Sequence, residues 1–134
     1  MLELKLASLL GLDYVKKVAD ATKERRKASL RKYKEELKTQ KGSPESDAFE
    51  KLISKLSDDD IRNLMREIDS SNLQSALKLC GYETIDKILS NLTEKISEMI
   101  LEGMRQSKPS TEYVISKQNE IIATWDRIAY PQDM

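Results

Sequence analysis

Histidine is absent from the 134 residues, and cysteine occurs once, at Cys80. The first absence removes Ser–His and Cys–His nucleophilic catalysis, histidine metal ligation and a histidine pH switch. The second excludes an internal disulfide and every multi-cysteine zinc or iron–sulfur site, and it fits a reducing compartment. Glycine and proline are scarce, with four and three residues. Sandwiches and barrels need more turn residues than that, and collagen-like or Pro/Gly-rich disordered chains need many more. No segment approaches the roughly 18 to 20 uninterrupted apolar residues of a membrane span. The opening MLELKLASLLGL is broken by Glu3 and Lys5, and no small-residue cleavage site follows. It reads as the start of an amphipathic helix rather than a signal peptide. The expectation is a cytoplasmic protein.

Charge is abundant, with 34% of residues ionisable and 23 cations against 23 anions. The zero balance hides a polarity. Residues 1–42 carry an excess of six cations, and residues 43–134 an equal excess of anions. A boundary is expected at Lys41-Gly42-Ser43-Pro44, giving a basic helical segment over 1–42 and a helical domain over 43–134. Gly42 can end a helix in the left-handed conformation, and Ser43-Pro44 can open the next one. In the first segment Leu4, Leu6, Leu9, Leu10, Val15 and Val18 can dock, leaving the later cations wet. The run KERRKASLRKYKEELK could be a footprint for nucleic acid or an anionic membrane. The interleaved Glu24, Glu35 and Glu36 favour a plain solvated helix with internal ion pairs. Tyr33 alone could stack on a base, which disfavours single-stranded nucleic acid.

Beyond residue 43 the chain reads as short helices, each with its own punctuation. Ser57 followed by Asp58-Asp59-Asp60 is an N-cap with acids in the first turn. Ile61, Leu64, Met65 and Ile68 then repeat at helical period. After Asp69-Ser70 comes a second stripe of Leu73, Ala76, Leu77 and Cys80, for which Gly81 is the expected stop. Ile85, Ile88, Leu89 and Leu92 make a third. Asn91-Leu92-Thr93-Glu94 carries capping-box spacing with either Asn91 or Thr93 as the cap. A helix from about Glu94 to Arg105 should bury Ile96, Met99, Ile100 and Met104. Pro109-Ser110 ends it, and a last helix from about Thr111 to Ile128 carries Val114, Ile115, Ile121, Ile122, Trp125 and Ile128. Helices this short must cover one another around a shared core, with Leu77, Ile88, Ile100, Ile122 and Trp125 as expected members. The fold class is all-α.

Residues with chemical potential have plainer explanations. Cys80 lies on an apolar stripe and reads as a small buried hydrophobe. Asp58-Asp59-Asp60 opens a helix and lacks the remaining spacing of a calcium loop. Neither a phosphate-binding glycine loop nor a paired-carboxylate pocket can be assembled. The expectation is a non-enzymatic chain with no cofactor, no metal and no small-molecule substrate.

The stretch LSDDDIRNLMREIDSSNLQSALKLCGYETIDKILSNLTEKISEMILEGM resembles the C-terminal domain of FliG, the bacterial flagellar motor switch protein. Its strongest pieces are Arg66-Glu67-Ile68-Asp69, Ala76-Leu77-Lys78 and Asp86-Lys87-Ile88-Leu89-Ser90-Asn91-Leu92. The resemblance covers about residues 56–128. It implies a compact all-helical rotor module, with an armadillo-like part and a charged helix that meets the cytoplasmic loop of a stator protein or another motor component. Lys78 then matches the family's lysine of A-L-K, Lys95 an arginine, and Glu102 the first of two adjacent acids. The second acid falls on Gly103 and a downstream arginine on Thr111. The family's M-F-x-F motif falls near Ser46-Asp47-Ala48-Phe49, retaining only Phe49. The N-terminal and middle domains of the family have no room in 134 residues, so a stand-alone relative is expected.

On a helical wheel Lys95, Glu98, Glu102 and Arg105 fall within an arc of about 80°. With Lys78 they form the expected partner-facing charges of a motility protein that is cytoplasmic or peripheral at the inner-membrane face of the motor. The alternative is an anionic-membrane or nucleic-acid adaptor acting through residues 16–38 on the same scaffold.

Overall fold

The structure, a computed structural model, describes residues 22–131. It divides into two compact units, Met1–Lys32 and Tyr33–Met134. The apolar positions of residues 4–18 that were expected to dock lie outside the described residues. Among the described residues there is no strand. Helix α1 covers residues 22–37. It is followed by α2 (Asp47–Lys55), α3 (Asp58–Met65), α4 (Ser70–Ala76), α5 (Tyr82–Leu89), α6 (Glu94–Gln106) and α7 (Thr111–Ala129). Single 3-10 turns at Pro44–Ser46 and Leu77–Leu79 precede α2 and follow α4. The chain is all-α.

The helix starts obey their punctuation. Ser57 Oγ accepts from Asp60 N at 3.1 Å and Asp60 Oδ2 accepts from Ser57 N at 3.3 Å. This closes a reciprocal capping box on α3. Thr93 caps α6 by accepting from Ile96 N, and Ser110 caps α7 by accepting from Tyr113 N. Asn91, the other candidate cap, instead donates to Lys87 O and Asp58 Oδ1, tying the end of α5 to the start of α3. Ser43 and Pro44 open the first 3-10 turn as N-cap and N1.

The glycines behave otherwise than expected, since no described glycine has a positive φ. Gly81 does not stop the second stripe but stands as the N-cap of α5, with extended backbone angles. It has no side chain to cap with, so Glu50 of α2 supplies the carboxylate, accepting from Gly81 N and from Thr84 Oγ1. A Cβ on Gly42 would meet Glu50 Oε2 at 2.2 Å, and one on Gly81 would meet Gly42 N at 3.0 Å. Both glycines serve close approach, not chain reversal. Residues 40–43 are bonded to the end of the second stripe. Gln40 Nε2 donates to Cys80 O, Tyr82 N to Gln40 O, and Ser43 N to Leu79 O.

The core of the second unit is built on α4, which packs against both α6 and α7, while α2 packs against α5 and α7. Leu73, Ala76, Leu77 and Cys80 are buried together with Phe49, Ile53, Ile61, Leu64, Ile85, Ile88, Ile100, Met104, Val114 and Ile121. Ser46 of the M-F-x-F region is fully buried as well. Two faces differ from expectation. On α7 the buried side is Val114, Gln118, Ile121 and Thr124. Ile122 and Trp125 are only half-buried and Ile128 is exposed, because α7 turns a polar-containing stripe inward. On α6 the buried side is Ile100, Leu101 and Met104. Ile96 and Met99, expected inside, are 38% and 54% exposed.

Gln118 is the polar centre of this core. Its Nε2 donates to Ser46 Oγ at 2.8 Å and to Ala76 O at 2.9 Å. Replacing Gln118 by Leu leaves the buried Ala76 carbonyl without that donor, which should cost about 1–3 kcal/mol. Leu77→Ala and Ile100→Ala should each cost on the order of 2–5 kcal/mol. Ile122→Ala should cost clearly less than either. Urea denaturation of the four variants measures all of these, and equal losses for Ile122→Ala and Ile100→Ala would contradict the placement of α7.

Candidate interaction surface

The residues expected to form a charged surface sit on α6 and at its C-terminal end. Helix α6 is fixed from three sides. Near its start, Ser97 Oγ donates to Leu89 O at 2.8 Å. Towards its end, Gln74 of α4 lies against Gly103, where a Cβ would meet Gln74 Oε1 at 1.9 Å. At its last turn, Lys78 Nζ donates to Met104 O. Carbonyls of a helix's last turn lack partners within the helix and carry the negative end of its dipole, so a cation there is favourable.

Lys78 therefore holds α6 rather than standing on its outer face. It is half-buried and lies 5.9 Å from the centroid of the Tyr33 ring. Burial lowers its pKa, with Lys108 adding to the effect by repulsion. The Tyr33 hydroxyl is pushed up by burial and by Glu36.

The other four residues lie on the outer half of α6, to different depths. Lys95 is exposed, and among the described residues no carboxylate lies within 4.0 Å of its ammonium. Glu98 is half-buried. Glu102 has a side chain only 21% exposed, and its Oε1 accepts from Arg105 and from Gln106 Nε2 at 2.7 Å. Its Oε2 is buried without a hydrogen-bond partner among the described residues. Arg105 is exposed, and its pairing with Glu102 raises its pKa. The arc is thus an exposed unpaired cation, a half-buried acid at Glu98 one turn on, and an internally neutralised pair a turn beyond. Ile96 and Met99, which the wheel reading placed inside, are apolar patches on this surface. Their exposure could not be read from the wheel, because the apolar residues of α6 span more than half its circumference.

The positions where charge is missing have clear structures. Gly103 is half-buried under Gln74, whose amide fills the space a side chain would take. Thr111 is exposed as the first residue of α7. Cys80 is buried, and its thiol pKa is pushed far up by burial and by Glu50. A thiol held protonated is a poor nucleophile. Among the described residues no cluster of three potential metal ligands occurs, and no helix is long and apolar enough to cross a membrane.

Two substitutions test these roles by thermal melting. Lys78→Ala should destabilise the protein by about 1–2 kcal/mol through loss of the charged donor to Met104 O, while Lys95→Ala stays within about 0.5 kcal/mol of wild type. Gly103→Ala should raise stability by up to about 1 kcal/mol through helix propensity, since only the mobile end of Gln74 must swing aside. A large loss at Gly103→Ala would mean that Gln74 cannot move.

Comparison with curated proteins and with solved structures finds no match. The FliG C-terminal domain matches over residues 28–132, beginning well before the stretch that carries the visible resemblance. The helical order, the caps and the core lie within that span, and the chain belongs to the FliG C-terminal domain family.

Proposed function

We propose that the chain acts as a non-enzymatic rotor-side module of the flagellar motor switch, with α6 presenting its outer charges to the cytoplasmic loop of a stator protein at the inner-membrane face of the motor. Family membership supports a motor-switch interaction module. The observation that carries the finer reading is Lys95, an exposed cation with no ion-pair partner among the described residues, opposite the buried Ile100–Leu101–Met104 side. It matches a charged position of the family. Glu102 and Arg105, already paired, extend the pattern without adding net charge. Ile96 and Met99 give the same face apolar area, so contact does not depend on charge alone. Lys78 contributes by fixing the end of the helix that displays the others.

Charges at the rim of an interface steer association and suppress wrong partners more than they add affinity. Lys95→Glu should therefore melt like wild type and bind the stator loop severalfold more weakly, mainly through slower association. Glu102→Lys should weaken binding and also lower stability modestly, because it sets two cations side by side at the Arg105 position. Association rates across a salt series, read by surface plasmon resonance, measure both. If both reversals bind like wild type, the α6 charges serve solvation alone and the torque-transmitting role is absent.

A further inference from the structure

The described part of the first unit, residues 22–32, carries six cations (Lys23, Arg25, Arg26, Lys27, Arg31 and Lys32) against the single acid Glu24. All seven side chains belong to exposed residues, while Leu30 is buried and Ser29 half-buried on the covered side. Interleaved acids were expected to form ion pairs along Lys23–Lys38; the structure contains one, Glu35 with Lys38, while none of the six cations of residues 22–32 has a carboxylate within 4.0 Å among the described residues. These six cations, with Glu24 as the one acid among them, repel one another. That arrangement is most stable with an anionic surface against it.

We propose that this helical face binds an anionic phospholipid surface by electrostatic adsorption. At 100° per residue, Lys23, Lys27 and Arg31 form one row within about 80°, and Arg25 and Lys32 form a second about 100° further round. Ala28 and Glu24 lie between the rows. Long Lys and Arg stems on both flanks can splay to a common plane, and each cation near an anionic leaflet adds to the attraction. Nucleic acid fits the same face less well. No aromatic residue in 22–32 can stack on a base. The strip between the cation rows offers Ala28 and Glu24, where a groove binder would present Arg, Asn or Gln to base edges. With Ala28 the largest exposed apolar side chain among residues 22–32, the binding is adsorption rather than insertion, and salt should abolish it. The inference does not depend on the role assigned to α6.

The test is co-sedimentation of the full chain with phosphatidylcholine vesicles, with and without phosphatidylglycerol, across a salt series. Binding should require the anionic lipid and disappear at high salt. The triple variant Lys23→Gln, Lys27→Gln, Arg31→Gln should melt like wild type and bind at least about tenfold more weakly. Equal binding to neutral and anionic vesicles overturns the proposal, as does anionic binding by the wild type that persists at high salt. So does a variant that sediments like wild type. A duplex or single-stranded oligonucleotide that strips the protein from the vesicles more effectively than soluble phosphatidylglycerol headgroup at equal phosphate would reassign the face to nucleic acid.

Discussion

One buried carbonyl, Ala76 O, sets the register of the core. The helix α4 tightens into a 3-10 turn at Leu77–Leu79, so Cys80 N bonds to Leu77 O and not to Ala76 O. The carbonyl left over is fully enclosed, and a buried acceptor without a donor is costly. Gln118 reaches it from α7, and the weak Cys80 thiol donor approaches from its own turn at 3.4 Å. The same Gln118 amide also donates to Ser46 Oγ ahead of α2. Three parts of the chain far apart in sequence are therefore locked by one side chain. Shape complementarity among short apolar stripes would tolerate a slip of α7 along its axis; a hydrogen-bonded amide at its middle does not.

The fixed core determines how α6 is displayed. Its buried side meets α4 through Ile100, Leu101 and Met104, and its ends are tied by Ser97 to Leu89 O and by Met104 O to Lys78. The Lys78 tie comes from the 3-10 turn that follows α4, so the C-terminal end of α6 inherits the register that Gln118 sets. A helix tied by hydrogen bonds at both ends presents side chains at defined positions, which a surface helix resting on apolar contacts alone would do less sharply. Gln74 over Gly103 shows the compromise: the position is used for approach between α4 and α6 rather than for a second acid.

Local signals in the sequence were legible wherever one residue decides the structure. Ser57, Thr93 (offered together with Asn91) and Ser43-Pro44 each mark a helix start that the structure contains, and α7 opens at Thr111 as expected. The apolar stripe Leu73–Ala76–Leu77–Cys80 is buried throughout. What could not be read was the rotation of a helix whose apolar residues exceed one face. On α6, Ile96, Met99, Ile100, Leu101 and Met104 cannot all be inside, and the contact with α4 selects the last three. On α7 the inward residue that matters is Gln118, a polar side chain that any hydrophobic pattern assigns to solvent. Its partner Ala76 O becomes available only because α4 changes pitch, and nothing in Ala76-Leu77-Lys78 announces that change. Among the candidate surface residues, Lys95 was placed correctly as exposed. Lys78 is half-buried and donates to Met104 O, a main-chain target that no side-chain pattern reveals.

The two charged surfaces work by different physics. On α6 the exposed Lys95, the half-buried Glu98 and the Arg105–Glu102 pair sum to no net charge, so the field at a distance is small and recognition would depend on where each charge sits. A partner reads that pattern only on contact, and single reversals should matter more than total charge. On residues 22–32 six cations stand against one acid, and none of the cations has a carboxylate within 4.0 Å among the described residues, so the field extends about a Debye length, roughly 8 Å at physiological salt. There the sum matters and the identity of any one cation matters little. A surface of the second kind concentrates the protein near an anionic plane without fixing what it meets there. One of the first kind discriminates among neighbours but gathers none from afar.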